Sequence, residues 1–366
     1  MADVVRAVVQ TAPRRLEMRE FPRPVIDADD RVVLRVEACG LCGTDVEQYD
    51  GVLGTGSFPM VPGHEPLGII EEISPATAQL WGVAVGDRVG VESPIPCRFC
   101  DKCLAGQYLF CRRRIDSYGG YFPSKRGLGL FGGFAEYMDL HPSSIVHRID
   151  NDVPAQLAAM FVPLAGAVRW TLRYGEVGLG TTLLILGAGQ RGLLAVMAAR
   201  VAGAGTVIMT GLSRDARKLE LAREFGADFT INVEDEDTVA RVKEITGGEG
   251  IDVVLDLTPV AHQPIRDGIG SVRRGGTVVL AGLKGLTNVE VQTDHLINNG
   301  ITIKGAFSLD ARAYDDAIAL IESGKLPLER IQTHQFGLDQ VEHAIQVLAG
   351  RIPGEDGIHV AILPGL

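Results

Sequence analysis

Residues 181–192, Thr-Thr-Leu-Leu-Ile-Leu-Gly-Ala-Gly-Gln-Arg-Gly, constrain the chain more than any other stretch. The apolar run 181–186 has the length of a strand buried on both faces. It ends in Gly187, Gly189 and Gly192 at G-x-G-x-x-G spacing, with Gln190 and Arg191 between the last two, and residues 193–201 then read as a helix apolar on nearly all sides. Each glycine answers a separate demand: a tight turn, close backbone approach to a pyrophosphate, and close packing of helix on strand. The helix N-terminus offers free N–H groups and a partial positive charge to that pyrophosphate. The alternative is a Gly-rich turn with no ligand, which needs neither a buried strand before it nor a buried helix after it.

Strands and helices alternate from about 161 to 305. A second strand at 206–210 precedes a helix through Leu219 and Phe225, and further apolar runs stand at 252–257, 277–281 and 301–304. This alternation predicts an α/β fold with a doubly wound parallel sheet. The end of the second strand selects the cofactor, because a carboxylate there binds the adenosine ribose hydroxyls and favours NAD. Here Gly211 removes that charge, while Ser213 and Arg214, with Arg217 or Lys218 nearby, suit a 2′-phosphate. The pattern favours NADP, with Asp215 as the group that could restore NAD use. Thr258, within 257–259, and residues 281–284 follow strands whose C-terminal ends face the cofactor, so backbone contacts to nicotinamide are expected there. Near the end, 313–323 and 340–348 carry apolar residues at helical spacing, which core packing explains.

At 366 residues the chain has room for two domains. Its net charge of −11, without a long run of one sign, argues against nucleic acid or an anionic membrane as the main partner. No apolar segment is predicted to reach the length of a membrane span. The opening Met-Ala-Asp-Val-Val-Arg lacks the apolar core of a signal peptide, so a cytoplasmic location is expected. The six cysteines therefore read as thiols or metal ligands rather than disulfides.

The first 160 residues or so alternate short Val-rich runs, at 7–10, 31–36, 68–73 and 87–91, with turns, as a β-rich, barrel-like domain would. Cys97, Cys100, Cys103 and Cys111 can surround one tetrahedral metal. An all-thiolate shell leaves no position for substrate, so zinc held there is structural; an iron–sulfur cluster is the alternative. Cys42, His64 and Glu65 are the ligand types of an open, catalytic zinc. Taken singly, each has a plainer role: a buried thiol, a core histidine, a surface charge. Residues 112–134 read as loops. Tyr118, Tyr121 and Phe131 there are candidates for lining a substrate cleft, although packing is the commoner role of a single aromatic. Arg112 to Arg114 either attract an anionic substrate or form a solvated face.

Gly-Leu-Cys-Gly-Thr-Asp at 40–45, Gly-His-Glu at 63–65, the four-cysteine lobe and the G-x-G-x-x-G turn occur in that order. Over essentially its whole length the sequence resembles the zinc-dependent medium-chain dehydrogenase/reductase superfamily, the alcohol, polyol, threonine and sugar dehydrogenases above all. The resemblance implies a β-rich, GroES-like catalytic domain split in sequence, 1–160 and 305–366 with a structural zinc lobe at about 95–112, around a Rossmann nucleotide-binding domain at 161–304. It implies catalytic zinc at Cys42, His64 and Glu65 and structural zinc at Cys97, Cys100, Cys103 and Cys111. Thr44 would relay the substrate proton, with Glu47 as outer member where relatives often carry histidine. The implied reaction is reversible hydride transfer between NADP or NAD and a secondary alcohol, polyol or sugar, in a homodimer or homotetramer. Two departures stand out. Relatives usually have Glu-Pro-Leu-Ala-Cys near the domain junction, and this chain has Val162-Pro-Leu-Ala-Gly166. The lost ligand opens two alternatives: an NADP-linked reductase of activated double bonds or carbonyls without catalytic zinc, or a nucleotide-binding protein without turnover. Gly-Lys before the last strand becomes Gly357-Ile-His359, with His359 expected at the surface.

Overall fold

The computed structural model describes residues 4–26, 31–53, 58–120 and 127–366. The chain divides into two compact units, Met1–Val162 with Asp310–Leu366, and Pro163–Leu309.

In the first unit, Val32–Gly40 organises a sheet of seven strands among the described residues. Val32, Leu34 and Val36 point into a core shared with Ile70, Val89 and Met138, as the two-residue period of a strand requires. Arg35 and Glu37 alternate with them and are tied off by Glu71 at 2.8 Å and Arg88 at 2.6 Å. Val32–Gly40 pairs antiparallel with Glu65–Glu72, with Tyr137–Leu140 and with His359–Ile362. The last strand therefore returns the C-terminus to the strand that leads into Cys42. Helix α1 (Gly43–Tyr49) follows directly.

The second unit is built on β1 (Leu183–Leu186), β2 (Val207–Gly211), β3 (Phe229–Asn232), β4 (Ile251–Asp256), β5 (Val272–Leu280) and β6 (Thr302–Gly305). They form one parallel sheet in the order β3-β2-β1-β4-β5-β6. The order reverses at β1, and the crevice outside the carboxyl ends at such a switch point is where open α/β sheets take ligands. All four side chains of β1 are buried, as a central strand covered on both faces demands. The sequence pattern missed β3, whose Phe229 is exposed and whose only fully buried residue is Ile231.

Three expectations need correction. Ala155–Tyr174 is 20 residues long with mean hydropathy 1.2, enough to cross a membrane by length and composition. It is 78% buried inside the protein, so its apolarity serves the core. Tyr118 lines no cleft: it is fully buried, and its hydroxyl meets Ser144 Oγ at 2.7 Å and accepts from the His141 N–H at 2.8 Å. Packing won over a binding role because the hydroxyl found partners inside. Phe131 packs against the same core as Tyr118, and Tyr121 lies outside the described residues. His359 is not a surface residue. It is fully buried, its Nδ1 is 2.7 Å from Gln332 Oε1, and burial pushes its pKa down to about 4. Its strand is interior, with neighbours on both sides.

Candidate active site and metal centres

The open centre is assembled where strand gives way to helix. Cys42 has extended backbone and precedes the first turn of α1. Asp45, in that turn, accepts the Cys42 N–H at 2.9 Å, which caps the helix and fixes the direction in which Cys42 leaves the strand. Gly63 stands at φ +91°, and a Cβ there would lie 2.7 Å from Phe134, so only glycine lets His64 be delivered by this route. Glu65 opens the strand paired with Val32–Gly40, opposite Gly40, and is fully buried. A Cβ on Gly40 would fall 2.8 Å from Glu65 Oε2, so that glycine leaves room for the carboxylate.

Cys42 Sγ lies 3.1 Å from His64 Nε2, and Nε2 lies 3.9 Å from Glu65 Oε1. The ligand atoms of Cys42, His64 and Glu65 all lie within 4.8 Å of one another. Asp45 Oδ1 faces His64 Nδ1 at 3.1 Å. That contact places the proton on Nδ1 and leaves Nε2 with its lone pair toward Cys42, the carboxylate–histidine arrangement that supports metal ligands. Burial disfavours the charged imidazole, but Asp45 and Cys42 outweigh it and raise the His64 pKa. The field that would hold a proton on Nε2 would equally hold a cation, so the donor set fits a divalent metal. Asp45 was not singled out in the sequence. Its signal was there, an acidic residue three positions after a helix-starting residue.

Thr44 and Glu47 lie three residues apart on α1, on one face of the helix. Both are half-buried. Burial raises the Glu47 pKa above the ordinary carboxylate range.

The lobe is a different arrangement. Sγ of Cys97 lies 3.9 Å from Cys103 and 3.5 Å from Cys111, and Sγ of Cys100 lies 3.5 Å from Cys103 and 3.8 Å from Cys111. A tetrahedral zinc with bonds of about 2.3 Å sets its sulfurs about 3.8 Å apart, whereas a disulfide needs about 2.05 Å. Backbone N–H groups of Cys97 and Cys100 aim at sulfurs at 3.4 Å. The backbone N–H of Cys103 lowers the Cys100 thiol to about 6, while burial pushes Cys103 up to about 12. The four sulfurs are spaced for one tetrahedral dication. Tyr108 fastens the lobe to the unit by donating to Glu92 at 2.9 Å, and Glu92 also meets His147 Nε2 at 2.9 Å. Arg112 and Arg113 stay outside, the first 3.6 Å from Asp101 and the second over the Phe99 ring.

In the second unit the turn after β1 matches the three demands on its glycines. Gly187 adopts φ +110°. A Cβ on Gly189 would meet nothing within 4 Å, leaving the backbone open to a ligand, and one on Gly192 would sit 2.1 Å from the Gly187 carbonyl. Helix α2 (Gln190–Val201) starts there, with Gln190 buried and the Arg191 guanidinium over the Trp170 ring. Thr258 is beside the turn, its methyl 3.2 Å from where a Gly187 Cβ would be. Its hydroxyl is engaged: it donates to Asp256 Oδ1 at 2.5 Å and accepts from Lys284 at 3.0 Å, while Lys284 pairs with buried Asp256 at 2.8 Å. Its backbone is engaged as well: the N–H donates to Asp256 Oδ1 at 3.1 Å and the carbonyl accepts from Lys284. Gly211, Ser213 and Arg214 follow one another at the end of β2.

Residues 28–151 match the model of the alcohol dehydrogenase GroES-like domain, and residues 192–323 that of the zinc-binding dehydrogenases. The chain is 43% identical over 366 residues to the "Probable alcohol dehydrogenase adh" of Mycobacterium tuberculosis, covering 99% of each. It is 32% identical to the erythritol/L-threitol dehydrogenase of Mycolicibacterium smegmatis, over 99% of this chain and 98% of that one. Its fold matches the crystal structure of a zinc-binding dehydrogenase from Sinorhizobium meliloti bound to NADP, with a TM-score of 0.84, 27% identity and coverage of 99% and 100%. The chain belongs to the zinc-dependent medium-chain dehydrogenase/reductase superfamily. Within it, the chain is an NAD(P)-linked oxidoreductase of the alcohol dehydrogenase type.

Proposed function

We propose that the chain oxidises a secondary alcohol, polyol or sugar to the carbonyl compound, reversibly, with zinc held by Cys42, His64 and Glu65. The observation that carries this is the convergence of those three side chains with Asp45 on the far nitrogen of His64. Zinc bound there would act as a Lewis acid and make the alcohol hydroxyl a stronger acid, and the nicotinamide would take the hydride. Thr44 accepts the proton the alcohol gives up and passes it along α1 to Glu47. Burial raises the Glu47 pKa and so makes its carboxylate the stronger base. Asp45 holds the His64 ring still and in one tautomer. Gly187, Gly189 and Gly192, with the start of α2, hold the pyrophosphate of the cofactor.

A second zinc sits among Cys97, Cys100, Cys103 and Cys111 and is structural. The domain limits we assign are those of the two compact units, 1–162 with 310–366, and 163–309. A cytosolic homodimer or homotetramer is the form we expect: the six cysteines are free, and β6 ends its sheet with Ile303 exposed on it and Ile297 exposed before it.

Elemental analysis for zinc and iron, before and after mild chelation, tests the reading beside turnover of an alcohol panel. Two zincs per chain are expected, one lost on chelation together with activity. One tightly held zinc, with carbonyl or double-bond reduction untouched by chelation, would replace this proposal with a reductase lacking catalytic zinc. Val162, buried at the head of helix Phe161–Val168, is the residue that would then account for it.

A further inference from the structure

The choice between the two nicotinamide cofactors rests on the dehydrogenase reading above, and it turns on a carboxylate outside β2. Gly211 ends β2 where a ribose-binding carboxylate would ordinarily stand. That position is tight for any side chain. A Cβ on Gly211 would lie 3.1 Å from Leu219 Cδ2 and 3.2 Å from the Cβ atoms of Ala188 and Asp215. Just past it, two backbone N–H groups point outward, and a carboxylate takes each. Leu212 N–H donates to Asp215 Oδ2 at 3.1 Å, and Ser213 N–H donates to Glu234 Oε2 at 2.7 Å.

Glu234 comes from the turn that follows the adjacent strand. Gly211 pairs with Asn232 at the end of β3, and the Val233 N–H donates to the Gly211 carbonyl at 3.0 Å. The Asn232 amide donates to Ser213 Oγ at 3.0 Å, which holds the two loops together. The two carboxylates differ in charge balance. Asp215 has the Lys218 ammonium 3.3 Å away. Glu234 has no ion pair within 4 Å among the described residues; hydrogen bonds from Ser213 keep it ionised, and the charge of Arg214 adds to that.

We propose that Glu234 is the specificity-determining residue of the adenosine-ribose subsite. It supplies, from the turn after β3, the carboxylate that Gly211 lacks. The ribose hydroxyls of NAD donate to it, and the 2′-phosphate of NADP is repelled by it. A phosphate carries about −1.5 to −2 charges at neutral pH. Set within several ångströms of a carboxylate at a protein surface, it binds at least roughly tenfold more weakly. Ser213 N–H, a donor the phosphate would need, is already committed.

Dissociation constants of NADH and NADPH, read from nicotinamide fluorescence on the zinc-loaded protein, test this in wild type and Glu234→Gln. Glutamine keeps an oxygen for the Ser213 N–H, so the loop is retained while the charge is lost. Wild type should favour NADH at least tenfold. Glu234→Gln should tighten NADPH about tenfold and weaken NADH severalfold, because a neutral amide is the poorer acceptor for the ribose hydroxyls, and so remove the preference. A wild type that prefers NADPH, or a ratio unmoved by Glu234→Gln, would overturn the proposal and hand selection to Ser213 and Arg214. Binding of neither nucleotide would overturn the dehydrogenase reading with it; an unmoved ratio sinks this inference alone.

Discussion

Cys42 and Cys100 both stand within 4 Å of other metal-binding side chains, but their company differs. Cys100 meets only sulfur, at 3.5 Å and 3.8 Å. Cys42 meets one imidazole and one carboxylate, and the second nitrogen of that imidazole is held by Asp45. Four anionic ligands satisfy a zinc ion completely, whereas three leave a vacancy for a reactant. The difference also lies in the backbone. The lobe is a local loop whose ligands span fifteen residues, 97 to 111, whereas the open centre joins a helix start to a strand start twenty-two residues on. A closed site can be written in one short stretch; an open one borrows its precision from the sheet that holds both its ends.

If the comparison is right, damage at the two sites should separate. His64→Ala should lower turnover by about a thousandfold or more, the worth of several kcal/mol of Lewis-acid stabilisation, and lower zinc by one per chain while circular dichroism stays unchanged. Unaltered turnover in that variant would break the distinction. Cys100→Ser should do the reverse: one zinc lost, stability down by about 2–4 kcal/mol, in the range of a lost cross-link, and turnover per folded molecule largely kept. Denaturant titration beside activity of the folded fraction measures this. Thr44→Val should cut kcat by about a hundredfold, the low end for a lost proton-transfer partner, without changing zinc content. Smallest is Glu47→Gln, with a loss of about threefold to tenfold at neutral pH by the same reasoning. The ionised carboxylate is the form that accepts a proton, so the wild-type rate should fall as pH drops through the raised Glu47 pKa. Glutamine should abolish that acidic limb; a pH–rate profile shared by both proteins would remove Glu47 from the relay.

Much of this was legible in the sequence because the informative residues are near one another along the chain. The four cysteines and the glycines after β1 each fall within one short segment, so spacing carried them; the Cys-Gly-Thr-Asp turn rested on the family resemblance. What was missed depends on pairing between distant segments. Glu234 reaches Ser213 only because β3 lies beside β2, a neighbour that Gly211 and Arg214 read alone do not reveal. His359 looked exposed because one polar residue near a C-terminus usually is. Its burial follows from Ala361 pairing with Gly40, more than three hundred residues earlier. Ala155–Tyr174 reads as a possible span from hydropathy and as core from burial, and composition alone cannot tell the two apart.

Asp45 couples two events that are usually separate. Its one carboxylate receives the Cys42 amide and the His64 ring, so occupancy of Nε2 and the integrity of the first turn of α1 are thermodynamically linked. An ion that steadies the ring also steadies the carboxylate, and through it the amide. Hydrogen exchange at the Cys42 N–H should therefore slow as metal binds, making that proton a built-in gauge of loading that can be read without any substrate.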